Sequence, residues 1–384
     1  MGHELIQPPP LRQGDRVAVL SPSWAAPGPH PEVHEQAMAR VRDLLGLEPV
    51  EYPTTRRDST PQERAADITA ALRDDSIRAV LATIGGEDQI TVLRHLDPAL
   101  PREQPKAFVG YSDNTNLLNW LWFHGLAAVH GGSTQVHLGR GPAVDAEHLE
   151  SLRAALFGGD VVLTAPLRSR DTGLPWTDPR SLTEQAPSLP AEPWTWSGPA
   201  RTVTGPTWGG NLEVLTWTLA AGRYVLPNEA YAGCVLLLET SEERPPPGEV
   251  YRMMRNLGER GVLEVVPAVL WGRPPAGDLD VHPGEGETRA LRAANREAVL
   301  RAVGEYHPDM VVVLDVDFGH TMPQWVLPYG GSVTVDAVAH ELTAHFGSSA
   351  GSSGHPPQPP ARGRVDPTAG PGAFRPGRPP GPSA

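Results

Sequence analysis

The chain has 384 residues, 39% of them hydrophobic, which is enough to fill the cores of two domains. A net charge of −13 with no long Lys/Arg stripe excludes a dedicated nucleic-acid binder. A single cysteine, Cys234, excludes an intrachain disulfide framework and points to a reducing cytoplasm.

The opening MGHELIQPPPLRQGDRVAVLS has neither the charged nor the apolar region of a secretory signal. No apolar run approaches the roughly 20 residues that span a bilayer. The expectation is therefore a soluble, mildly acidic cytoplasmic protein.

DRVAVLSPS reads as a buried first strand, and PEVHEQAMARVRDLLG as a helix closed by Gly46. TPQERAADITAALRD is a second helix: Thr60 caps it, Pro61 fits its first turn, and Glu63 completes a capping box. IRAVLATIGG and KAFVG are strands, the second running into GYSDNTNLLNWLW. This alternation predicts a parallel α/β domain over residues 1–158.

Residues 159–207 change character. The stretch is rich in Pro, Ser and Thr and carries Trp176, Trp194 and Trp196, which a plain linker would not hold. It reads as a connecting loop folded over a site, although the tryptophans could equally pin the loop to the protein. GGNLEVLTWTLAAG (helix), GCVLLLET (strand), PPGEVYRMMRNLGERG (helix), VVPAVLWG, DMVVVLDVDFGH and GGSVTVDAVAHEL make a second α/β unit over 208–346. Cys234, in the first of those strands, is expected to pack. Residues 347–384, rich in Pro, Gly and Ser, have the composition of a disordered tail.

Several residues could carry chemistry. Ser112 sits between a buried strand and a helix, where it could be an N-cap or a nucleophile held on a sharp turn. Gly110 precedes it by two residues, but Asn114 stands where the α/β-hydrolase elbow has glycine, so that motif is half met and local sequence favours the cap. Gly85 and Gly86 end a strand and could present N–H groups as an oxyanion hole, or could simply make a tight connection. Glu239 ends an apolar strand, and Glu242 and Glu243 after it read as solvated. His320 follows another strand. Asp315 and Asp317 beside it could hint at a metal, but no second histidine has the right spacing; His130 and His137 are also too isolated to be ligands. Ser, Glu and His, each just beyond a separate strand, can together form nucleophile, orienting acid and base.

GYSDNTNLL, GPTWGGNLEVL, LLLETSEE and DFGHTMPQWVLPYG, in that order, resemble the LD-carboxypeptidase family of serine peptidases over about residues 12–345. The ETSEE and DFGHTMP forms and the tryptophan-bearing insertion are closer to the branch holding the microcin-C self-immunity peptidase. The resemblance implies an N-terminal flavodoxin-like parallel-sheet domain, a smaller C-terminal α/β domain, a site between them and a homodimer. It further implies Ser112 as nucleophile, His320 as base, Glu239 as its orienting carboxylate, and the amides of Gly86 and Asp113 as oxyanion donors, without metal or cofactor. The implied substrate is a murein L,D-peptide or a microcin-like aminoacyl or peptidyl nucleotide. Trp194, Trp196 and Trp208 are the candidates for substrate contact. An α/β-hydrolase-type esterase, or a non-catalytic small-molecule binder on the same scaffold, are the alternatives.

Overall fold

A computed structural model describes residues 3–347; the tail expected from 347 onward lies, apart from Gly347, outside the described residues. The first sheet has the strand order Glu48–Glu51, Arg16–Leu20, Ile77–Ala82, Ala107–Gly110, Ala128–His130 and Leu327–Tyr329. Its first five strands are parallel and follow the order 2-1-3-4-5 of flavodoxin-like folds. The near-continuous apolar runs of these strands arise because helices cover both faces.

The helices form where their ends are chemically marked. Helix Pro31–Leu45 starts on Pro31 and ends on Gly46 in the left-handed conformation. In helix Pro61–Arg73, the Thr60 hydroxyl accepts from Glu63 N–H while the Glu63 carboxylate accepts from Thr60 N–H, the reciprocal cap read from the sequence.

The second sheet runs Gly159–Leu163, Glu341–Phe346, Ser332–Asp336, Thr202–Asn211, Val235–Glu239, Ala268–Gly272, Val311–Val316 and Thr195–Ser197. The four strands from Thr202–Asn211 to Val311–Val316 are parallel, and the three before them and the one after pair antiparallel. Cys234 is buried beside this sheet, where burial raises its thiol pKa to about 12; it packs as expected. Helix Glu285–Tyr306, which sequence periodicity did not mark, packs along helix Pro247–Glu259.

The halves exchange strands. Gly159–Leu163, expected to be loop, leaves the first unit to pair with Glu341–Phe346 of the second sheet. Leu327–Tyr329 returns from the second unit to pair antiparallel with Ala128–His130. The segment 159–207 is thus only partly loop: it supplies two edge strands of the second sheet and the start of a third.

One buried ion pair fastens that segment. Arg273 and Asp317, both side chains fully buried, meet at 2.6 Å; Arg273 also donates to the Glu192 carbonyl, and Trp194 Nε1–H donates to Asp317 at 2.8 Å. Removing one member would leave a charge buried and uncompensated. Asp317→Ala is expected to cost about 3–5 kcal/mol of stability, read by urea unfolding. A loss below about 1 kcal/mol, the range of exposed pairs, would show that the pair does not fasten the segment.

Candidate active site

Three turns leave the carboxyl ends of adjacent strands in the first sheet and meet at its topological switch point, where open α/β sheets bind ligands. The turn after Arg16–Leu20 brings Ser23 and Trp24, that after Ile77–Ala82 brings Gly85 and Gly86, and that after Ala107–Gly110 brings Ser112. All five line one cavity of about 1160 Å³, together with Tyr111, Arg140, Trp176, Glu242 and His320.

Ser112 has φ +63°, a left-handed backbone that a β-carbon disfavours. It opens the short 3₁₀ turn Ser112–Asn114, and among the described residues its hydroxyl accepts from no amide. An N-cap residue has extended backbone and a side-chain oxygen bonded to a helix amide; Ser112 shows neither. Asn114, where the hydrolase elbow has glycine, is a tether: its amide donates to the Ile84 and Tyr111 carbonyls and accepts from Gln89 Nε2 at 2.7 Å. Gly110 is needed because a β-carbon there would lie 2.9 Å from Asn114 Cβ.

Gly85 and Gly86 are fixed by close approach. A β-carbon at Gly85 would stand 2.9 Å from Ser112 Oγ, and one at Gly86 2.1 Å from Ser23 Oγ. Ser23 Oγ donates to Asp113 Oδ2 at 2.5 Å, and the same oxygen accepts from Gln89 N–H at 3.0 Å. The buried Asp113 side chain thus anchors the turn while its backbone N–H stays unengaged. Among the described residues, neither that N–H nor that of Gly86 donates to another protein group.

The other half of the site comes from the second sheet. Glu239, fully buried, ends strand Val235–Glu239, and His320 follows strand Val311–Val316. His320 Nδ1 lies 2.5 Å from Glu239 Oε2. Two glycines make room: a β-carbon at Gly272 would come within 2.5 Å of Glu239 Cβ, and one at Gly319 within 2.8 Å. Burial works to lower the His320 pKa. The charge and hydrogen bond of Glu239, with Glu242 and Glu213 behind, outweigh burial and leave it at about 9. His320 Nε2 faces Glu242 Oε2 at 3.4 Å, and no hydrogen bond joins it to Ser112. Triad contacts are commonly long before substrate tightens them.

Glu213 is a second buried carboxylate that sequence reading did not single out. It accepts from Ser241 N–H and Oγ–H, both at 2.9 Å, and burial and the charge of Glu239 push its pKa up to about 7. The signal was faint, since Glu213 lies inside a helix whose pattern is otherwise apolar.

The other expected residues fall outside the cavity lining. Trp208 is a core residue: it is fully buried against Trp122 and Tyr231, with its N–H donated to Asn119, so no substrate can reach it. Trp196 stacks on His340 in an edge strand, and Trp194 braces Asp317 behind the histidine turn. In their place Trp24 and Trp176 line the cavity, their rings stacked 5.8 Å apart. The connecting segment does reach the site, through Trp176. Asp315 and Asp317 pair with Arg296 and Arg273. His130 and His137 are buried, the latter stacked on His148, and burial lowers the pKa of both. Glu242 is exposed, as expected, yet lines the cavity with Glu243.

Known proteins agree with this architecture. Residues 17–131 match the LD-carboxypeptidase N-terminal domain and 204–335 the LD-carboxypeptidase C-terminal domain. A putative carboxypeptidase of Streptomyces coelicolor is 36% identical over 88% of this chain and 96% of its own length. A probable murein peptide carboxypeptidase of Bacillus subtilis is 29% identical over 69% of this chain and 73% of its own. The microcin C7 self-immunity protein MccF, solved with aspartyl sulfamoyl adenosine, superposes with a TM-score of 0.76 at 23% identity, over 89% of this chain and 100% of that one. No helix among the described residues is long and apolar enough to cross a membrane. The fold, the two matched domains and these relatives make the chain a peptidase that belongs to the LD-carboxypeptidase family.

Proposed function

We propose that the chain hydrolyses an amide bond by acyl transfer, with Ser112 as nucleophile, His320 as general base and Glu239 as the carboxylate that orients the imidazole. The observation that carries this reading is the 2.5 Å Glu239–His320 contact beside a cavity that also holds a serine in left-handed backbone. Ser112 Oγ attacks the scissile carbonyl while its proton passes to His320 Nε2. The oxyanion rests on the N–H groups of Gly86 and Asp113. His320 then returns the proton to the leaving amine, and water, activated by the same ring, cleaves the acyl-enzyme.

One substrate class is the L,D-amide of a murein peptide, supported by the name of the Bacillus relative. A second is an aminoacyl or peptidyl nucleotide. It is supported by the stacked Trp24–Trp176 pair, which offers a base an aromatic face, and by the neighbour solved with an aminoacyl sulfamoyl nucleotide. Offering the purified protein an L,D-tetrapeptide and an aminoacyl sulfamoyl-adenosine in parallel separates the two. A fluorophosphonate probe is expected to label Ser112, and Ser112→Ala to abolish labelling and lower the hydrolysis rate by about 10⁴ or more. Hydrolysis of neither amide, with turnover of simple esters, would favour the esterase reading; no labelling and no turnover would favour a binding protein.

A base must be neutral to accept a proton, so kcat/KM is expected to rise with pH toward the His320 pKa of about 9. Glu242→Gln removes one charge that raises it, so the acid limb should move to lower pH; because Glu242 is exposed, added salt should move it the same way. An acid limb that ignores both changes would contradict the role given to His320. The raised pKa also favours the folded state at pH values below the ordinary histidine range, a contribution lost as pH rises through about 9.

The reading includes the cytoplasmic setting and the homodimer that the family resemblance implies. Light scattering of the full chain is expected to give twice the 41.2 kDa chain mass, and a monomer mass at working concentration would remove the dimer from it.

A further inference from the structure

Arg140 lines the cavity, and the proposed triad makes no use of its charge. It follows a π-helical turn over Thr134–Leu138, a local distortion often found at functional sites. Its backbone is clamped: Arg40 donates to the carbonyls of Leu138, Arg140 and Gly141, and Gln36 Nε2 to those of Gly139 and Gly141. The side chain passes beneath Gly173, where a β-carbon would strike Nη1 at 2.4 Å, and its guanidinium lies 4.6 Å from the centre of the Trp176 ring.

Among the described residues that guanidinium has no carboxylate partner. Glu87, Glu242, Glu243 and Asp280 line the same cavity, and none pairs with it; its buried Nε–H has no acceptor among the described residues. Arg64, the other cavity arginine, is by contrast tied to Asp88. Burial without a counter-ion pushes the Arg140 pKa down to about 10. A half-buried cation left unpaired beside available carboxylates is costly unless a ligand supplies the anion.

We propose that Arg140 binds the anion borne by the leaving group, resting on the amide-hydrolase reading above. The two substrate classes share that chemistry. A murein peptide's departing D-amino acid carries a terminal carboxylate, and a phosphoryl nucleotide's departing half carries a phosphoryl oxyanion. The planar guanidinium suits either bidentate acceptor, and its stacking on Trp176 fixes the plane. The contiguous path Arg140–Trp176–Trp24–Gly85 ends against Ser112, because Trp24 N–H donates to the Gly85 carbonyl at 3.1 Å.

Binding separates this inference from the catalytic one. In Ser112→Ala protein, calorimetry compares an L,D-tetrapeptide acid with its C-terminal carboxamide, and AMP with adenosine. The charged member of at least one pair is expected to bind roughly 10- to 100-fold more tightly, the range of a charge-assisted hydrogen bond. Which pair discriminates identifies the source of the anion. Adding Arg140→Gln should erase that preference while leaving the neutral member's affinity unchanged; Arg140→Lys should restore part of it. Equal binding within both pairs, or a preference that survives Arg140→Gln with the thermal transition unaltered, would overturn the assignment. Arg140-dependent anion binding in a protein whose wild-type form hydrolyses neither amide would uphold the anion site and refute the peptidase substrates instead.

Discussion

The site depends on a carboxylate brought to an imidazole at 2.5 Å with no solvent around the carboxylate. Burying Glu239 alone would be prohibitive, and burying His320 alone would strip its charge; together each supplies what the other lost with water. The two residues leave strands of one parallel sheet that flank strand Ala268–Gly272, and space for the pair exists only because Gly272 and Gly319 lack side chains. Behind them, Arg273, Asp317 and Trp194 hold the histidine turn from the far side. Much of the second sheet's polar interior is thus committed to fixing one ring.

The first sheet contributes geometry of a different kind. Its parallel order opens a crevice at the switch point, and the chain fills that crevice with turns that approach within contact distance of one another. Ser112 is held in a backbone conformation it would not adopt freely, by Asn114 on one side and the glycine pair on the other. The sheets are joined next to this point: Thr115 Oγ accepts from Asn211 N–H at 3.0 Å, under Gly210. A shift of either sheet would therefore be felt at the serine.

Elements with local chemical marks were legible in the sequence. The Thr60–Glu63 box, Gly46 and the β-branched runs each report on a few residues of backbone, and each was found where it was read. Helix Glu285–Tyr306 was not legible because its buried stripe is Arg292, Asn295, Ala298, Val299, Ala302 and Val303, in which polar and small residues hide the period. The tryptophans show the other limit. Composition marks a segment as reaching the site, but which indole faces the cavity depends on strand pairing that 159–207 reveals only after folding. Trp24 and Arg140 carried no periodic signal, since both sit in turns whose placement is tertiary.

The exchanged strands bear on how the chain is made. The sheet that carries Ser112 takes its last member from residues 327–329, and the other sheet takes an edge from residues 159–163. During vectorial synthesis neither half can close until nearly the whole polypeptide has emerged, so the ribosome releases an incomplete edge for most of translation. Such long-range closure slows folding and couples the fate of the halves. It also keeps the cleft unassembled on nascent fragments that end before residue 327, since these lack the last strand of the first sheet.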